Sequence, residues 1–135
     1  MAKFDLIGLG NALVDSEFHV TDSFLKKKGF EKGTMHLVDS DEQTNLLNSL
    51  EKEYGKPSLA CGGSATNTIF AASILGSSCS YICKVGNDKN GNFYLDDLSD
   101  AGVNIDHSVM LDININSGTC TVMVSPDAER TMSTC

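Results

Sequence analysis

The stretch SLACGGSATNT, residues Ser58–Thr68, closes a short apolar run on two adjacent glycines and passes at once into a segment with helical character. Between a strand and a helix, glycine lets the backbone approach a ligand closely, and the helix that follows turns unsatisfied N–H groups outward. Ser64, Thr66 and Asn67 add hydroxyl and amide groups to the same first turn, so a neutral polyhydroxylated ligand could be held by several donors and acceptors. An ordinary glycine turn with Ser64 as N-cap explains the same residues, and the stretch alone leaves both readings open.

Its surroundings define the fold class. ATNTIFAASILG, after the glycines, is apolar or small nearly all round, the pattern of a buried helix packed closely on a sheet with Gly76 as C-cap. CSYICKVG then reads as a buried strand, NGNFYLDDLSDAG as a helix ended by Gly102, and HSVMLD as a strand. Upstream, SDEQTNLLNSLEKEYG predicts a helix opened by a capping box of Ser40 and Gln43, after a short strand in GTMHLVD. TDSFLKKKG predicts a short helix capped by Thr21 or Asp22 and stopped by Gly29. KFDLIGLG reads as a first buried strand, and Val14, Ser16, Phe18 and Val20 alternate as a second. At the other end, GTCTVMVSPDAERTMSTC predicts a hairpin around Ser125-Pro126-Asp127-Ala128, a type I turn. Strands alternating with helices indicate an α/β domain, with one domain the default for 135 residues.

The second strand also decides against a dinucleotide site. Gly8-x-Gly10-x-x-Leu13 lacks the third glycine, and a strand stands where that motif needs a helix N-terminus. Eighteen acidic against ten basic residues give a net charge of −8 and argue against a nucleic-acid partner. No apolar run has bilayer-spanning length and the N-terminus lacks a signal-peptide pattern, so the reading is a cytoplasmic protein with no membrane partner. Five cysteines without a Cys-x-x-Cys suggest reduced thiols and no metal site. His19, His36 and His107 stand far apart and read as locally satisfied polar residues.

Two further stretches matter for chemistry. Asp15 follows the first glycine turn on the side opposite the apolar stripe, where its two oxygens could accept from adjacent hydroxyls of a sugar. A surface aspartate in a turn is the plain alternative. VGNDKNG spaces Gly86 and Gly91 like a phosphate loop but lacks the following Lys and Ser/Thr, and Asp88 and Asn90 miss the EF-hand spacing. Locally it is a glycine- and Asx-rich loop that caps the next helix.

Taken together, GLGNALVD, GGSATNT, VGNDKNG and SGTCTVMVSPDAERTM resemble, in order and spacing, the ribokinase or PfkB family of carbohydrate and nucleoside kinases, especially its adenosine-kinase-like branch. The resemblance covers all 135 residues. It implies a ribokinase-like, Rossmann-type sheet with helices on its faces and a small β lid from strands near residues 14–20, 34–39 and 113–124, the whole incomplete at the C-terminus. It also implies that Asp15 holds ribose hydroxyls, that Gly62 and Gly63 lay their backbone on the sugar, and that Asn67 hydrogen-bonds a hydroxyl, with Asn11 and Ser64 as second members. Ser64, where ribokinases proper often carry Lys, and SGTC favour a nucleoside such as adenosine over a free sugar.

The family's catalytic base lies in a Gly-Ala-Gly-Asp segment that these residues lack, so no catalytic residue is assigned here. The expectation is a parent kinase using ATP and Mg²⁺, with this chain alone inactive and binding neither tightly. The alternative is a short non-catalytic sugar- or nucleoside-binding or oligomerising module, pairing as a homodimer through lid or edge strands. The abrupt end at Cys135, with an open sheet edge, favours the first.

Overall fold

A computed structural model describes residues 4–105, 109–112 and 114–135. His107 and position 113 of the third lid stretch lie outside the described residues. The elements run β1 (Leu6–Leu9), β2 (Leu13–His19), α1 (Asp22–Lys28), β3 (Met35–Leu37), α2 (Ser40–Tyr54), β4 (Ser58–Gly62), α3 (Ser64–Ile74), β5 (Cys79–Gly86), α4 (Lys89–Asp100), β6 (Val109–Asp112), β7 (Gly118–Val124) and β8 (Arg130–Thr134). They group into two compact units, residues 1–14 with 60–118 and residues 15–59 with 119–135.

The first unit is built on the parallel sheet β1-β5-β6. Alternation along β5 sends Tyr81, Cys83 and Val85 to one face, where they pack with Ile69 of α3 and with Tyr94 and Leu98 of α4. Gly8 and Gly10 make room there: a Cβ on Gly8 would stand 2.8 Å from the Tyr81 ring, and one on Gly10 would stand 2.6 Å from its hydroxyl. Among the described residues, apolar side chains on the opposite face stay open. Ile7 and Leu9 are 63% and 74% exposed, so β1 is not the buried strand its apolar sequence suggests. α3 departs from expectation in the same way, burying Thr66 and Ile69 while Ile74 is 65% exposed and Leu75, just after the helix, 87%. Parallel sheets are ordinarily covered on both faces, which is why these apolar runs read as interior.

Asp88 ties the end of β5 to α4 and to the segment before β7. Its carboxylate caps α4 by accepting from Gly91 N at 2.7 Å, and also accepts from the amide and hydroxyl of Ser117 at 2.7 and 2.8 Å. Burial pushes its pKa up, but these hydrogen bonds outweigh burial and hold it below 3.8. A depressed carboxyl pKa contributes stability that is present above the unfolded value and lost as pH falls through the folded one. Acid titration below about pH 4 is therefore expected to destabilise the protein less steeply in Asp88→Asn than in the wild type. Circular dichroism at fixed temperature checks this; equal acid profiles would exclude the linkage.

The second unit is built on strands β3, β8, β7 and most of β2, neighbours in that order in a sheet whose last strand is β4, with β7 and β8 antiparallel. Helix α1 is capped as expected by Thr21, whose Oγ1 accepts from Phe24 N, and ends at Gly29 with φ of 76°. Helix α2 differs from expectation: its N-cap is Asp39 and its capping box pairs Asp39 with Glu42, one residue before Ser40 and Gln43. Asp39 wins because an ionised carboxylate caps two amides at once, Asp41 N at 2.9 Å and Glu42 N at 2.8 Å. Gln43 is thereby freed to turn inward beside Leu46 and Leu50 on one helical face. Its amide donates to Thr121 Oγ1 at 3.0 Å and to the Ser133 carbonyl, and it accepts from the Ser133 hydroxyl at 2.9 Å. The core around Phe18, Val20, Phe24, Leu25, Leu46, Leu50 and Met123 forms where α1 and α2 meet the sheet.

The β7–β8 turn follows expectation, with Ala128 N donating to the Ser125 carbonyl at 2.8 Å. Lys32 holds the turn, bridging Asp127 at 2.7 Å and Asp22 at 2.8 Å. Ala128 itself sits at φ 65°, the left-handed region that a Cβ disfavours. Ala128→Gly is expected to raise stability by roughly 0.5–1 kcal/mol, the left-handed penalty less the extra chain entropy of glycine. A lower denaturation midpoint in the variant would contradict it.

Candidate functional site

In the first unit, β4 delivers Gly62, buried, and Gly63, half-buried, to the start of α3. Gly63 is the N-cap, at φ 101° and ψ 136°, a conformation open in practice to glycine alone. No side chain caps the helix, which displaces Ser64 from the N-cap role the plain alternative gave it. The first intrahelical bond runs from Asn67 N to the Gly63 carbonyl at 2.9 Å. The amides of Ser64, Ala65 and Thr66 therefore have no partner within the helix. The side chains of Ser64 and Asn67, three residues apart on one helical face, are both exposed. The first turn carries no acidic residue, so its positive end is left available to an oxygen-bearing ligand.

Asn11, exposed in the turn between β1 and β2, comes to the same place. A Cβ added to Gly63 would lie 3.0 Å from the Asn11 carbonyl and 3.3 Å from Thr66 Oγ1. The expected first-unit residues Gly62, Gly63, Ser64 and Asn67 thus lie together along this turn, with Asn11 against it. Thr66 does not join them. It is fully buried and donates its hydroxyl to Tyr81 Oη at 2.9 Å, so it serves the interior and not a ligand.

In the second unit, Asp15 lies half-buried on β2, with buried Val14 and Phe18 on the other side of the strand. Burial raises its carboxyl pKa above 3.8, the nearby Arg130 guanidinium pulls it back, and Glu17 adds to the rise. Arg130 also approaches Glu17, at 3.9 Å. A half-buried carboxylate with one cation close by can accept from vicinal hydroxyls without being neutralised by a full ion pair. On the edge strand β3, Met35 and Leu37 stand 61% and 81% exposed while His36 turns to Phe30 and Thr34.

Sequence reasoning missed the buried tyrosines beneath this turn. The available signal was the alternating glycines Gly8, in β1, and Gly10, just after it, which leave room for the Tyr81 ring of the neighbouring strand beside Ile69 and Ala65.

An α/β fold that brings a glycine pair to an uncapped helix N-terminus leaves backbone amides there without intrahelical partners. The chain belongs to the pfkB family of carbohydrate kinases, whose family model matches residues 34–135. Within that family it is similar to adenosine kinase 2 of Arabidopsis thaliana, at 30% identity over 122 residues, 88% of this chain and 34% of the relative. Among solved structures it resembles the adenosine kinase of Sinorhizobium meliloti (34% identity, TM-score 0.83, 98% of this chain and 39% of that one). It also resembles a probable sugar kinase of Rhizobium etli CFN 42 (29% identity, TM-score 0.78, 99% and 39%). The chain thus spans little more than a third of the length of these relatives, and the ribokinase-like fold expected for it is the fold they share over that span.

The chain has no Gly-Ala-Gly-Asp, and among the described residues no group of three His, Cys, Asp or Glu side chains could hold a metal ion. Nor is any helix among them long and apolar enough to cross a membrane.

Proposed function

We propose that this chain is the substrate-binding part of a cytoplasmic, ATP- and magnesium-dependent kinase that phosphorylates a primary hydroxyl of a nucleoside, adenosine before a free sugar. The observation that carries the reading is the Gly62-Gly63 entry into α3, where a glycine-only conformation leaves three helix amides without intrahelical partners. In this reading the Gly62 and Gly63 backbone lies on the ribose, and Asn67 bonds one of its hydroxyls. Asn11 and Ser64 assist, and Asp15 takes two hydroxyls. Strands β2, β3 and β7 would then form the lid of an N-terminal kinase region spanning residues 1–135, and ATP and Mg²⁺ would be held by other residues of the complete enzyme. Similarity to adenosine kinases supports the choice of nucleoside.

The test is calorimetry of adenosine and ribose against the purified protein, followed by a phosphoryl-transfer assay with ATP. Adenosine binding tighter than ribose, with no transfer by the 135-residue chain alone, is the expected result. Transfer by that chain would overturn the assignment of the chemistry to other residues.

A second reading, a non-catalytic module that pairs with its own copy, is favoured by the exposed edge strand β3. A dimer in sedimentation that dissociates on Leu37→Lys would support it; a monomer in both would remove it.

A further inference from the structure

Three hydroxyl side chains, Thr66 on α3, Tyr81 on β5 and Tyr94 on α4, are fully buried in the first unit. The Thr66 hydroxyl donates to Tyr81 Oη at 2.9 Å, so the proton in its 2.6 Å contact with Tyr94 comes from the Tyr94 phenol. Tyr81 Oη then directs its own proton to the Asn11 carbonyl at 3.5 Å, the slack end of the series. The result is a directional chain, Tyr94 to Thr66 to Tyr81, in which each bond polarises the next, with the Tyr81 hydroxyl aimed at the Asn11 carbonyl at the limit of reach. Burial pushes the Tyr94 phenol far above its ordinary pKa against the lowering effect of the Thr66 bond, so it remains a neutral donor.

Packing alone does not call for these groups. Phenylalanine at 81 and 94 and valine at 66 would fill nearly the same volume without the cost of burying three hydroxyls. What the hydroxyls add is a location. The Tyr81 hydroxyl lies under the Gly10–Asn11 turn, and the Thr66 hydroxyl lies under Gly63, at the spots where a Cβ on Gly10 or Gly63 would meet them. The chain of hydroxyls therefore ends at the two backbone segments that meet at the candidate site, and it ties both to the sheet and to α4.

We propose that Thr66, Tyr81 and Tyr94 are positioning residues for the sugar of a bound nucleoside, fixing the Asn11 turn against Gly63 so that Asn11 and the Gly62–Asn67 stretch address one ligand. This rests on the nucleoside reading above.

The experiment compares Tyr81→Phe, Thr66→Val and Thr66→Ser in the intact protein, measuring adenosine affinity by calorimetry and amide hydrogen exchange at Asn11 and Ala12. If the hydroxyls position the site, Tyr81→Phe and Thr66→Val weaken adenosine binding about tenfold and speed exchange at those amides by a similar factor. Thr66→Ser, which keeps the hydroxyl, should restore both. Faster exchange with affinity retained would overturn the positioning role, because the turn would then be loosened without consequence for the ligand. Unchanged exchange, with or without lost affinity, would overturn the anchoring itself. A wild-type protein that binds no adenosine, but whose exchange responds as described, would sink the nucleoside reading while leaving the Asn11 anchor supported. Thermal melting of each variant separates a global loss of folding from these local effects.

Discussion

Asp15→Asn is expected to weaken adenosine binding about a hundredfold or more while leaving the protein folded. Two hydrogen bonds from neutral hydroxyls to one carboxylate are together worth roughly 3 kcal/mol or more, and an amide offers one acceptor where the carboxylate offers two. The folding side has the opposite sign. Burial raises the Asp15 carboxyl above 3.8 despite Arg130, so the folded state disfavours its charge. A raised carboxyl pKa means stability that is present below the unfolded pKa and lost as pH rises through the folded one. The neutral amide of the variant avoids that loss, so Asp15→Asn should be at least as resistant to urea at neutral pH as the wild type. For the same reason wild-type affinity should fall on acidification, starting above about pH 4, as the carboxylate gains a proton and gives up an acceptor. The variant should show no such dependence. Calorimetry from neutral pH down through the carboxyl titration, with urea titration beside it, measures both; wild-type affinity in Asp15→Asn would remove Asp15 from the site.

Gly91→Ala should strongly destabilise the first unit. By helix propensity alone, alanine would gain about 1 kcal/mol over glycine. Here a Cβ would run into the Gly86 carbonyl and stand 2.8 Å from the Ser117 hydroxyl. A backbone atom at the end of β5 cannot swing aside as a side chain can, so α4 or the strand must shift. A shift would also stretch the Asp88 bonds to Gly91 N and Ser117 N. A net loss of about 3 kcal/mol is expected, the upper part of the range for overpacking. Denaturation monitored at the tyrosines checks it, and a gain in stability would show that the close approach is not real. The spacing of VGNDKNG thus has a structural cause: the glycines let the helix start against the strand, and the aspartate between them caps it.

Much of the molecule was readable in one dimension. The strand of CSYICKVG, the Thr21 and Gly29 limits of α1 and the hairpin at Ser125–Ala128 each follow from signals within a few residues. Four separated motifs in a fixed order also identified the family that the comparisons show. For the candidate site, Gly62, Gly63, Ser64, Asn67 and Asn11 were named from chemistry and resemblance, and in the first unit the structure sets Asn11 against Gly63.

The rest depended on contacts between distant residues. Ser64, Thr66 and Asn67 share one helical turn and similar polarity, yet only their phase relative to the sheet sends Thr66 into the interior and leaves the other two exposed. Asp39 and Ser40 are both good N-caps; the Asp39 carboxylate takes the role, and only the folded chain shows that Gln43, so released, reaches Thr121 and Ser133, 78 and 90 positions away. The apolar sequences of β1 and α3 say that these surfaces favour burial, but whether they are buried is set by what packs on them, and Ile7, Leu9 and Leu75 remain open in this chain. Local sequence thus determined the elements, most of their limits and the family, because those depend on backbone propensity and near neighbours. Which polar groups stay exposed at the start of α3 and which are buried beneath it was decided by tertiary structure, because a hydroxyl's surroundings depend on the partner that reaches it.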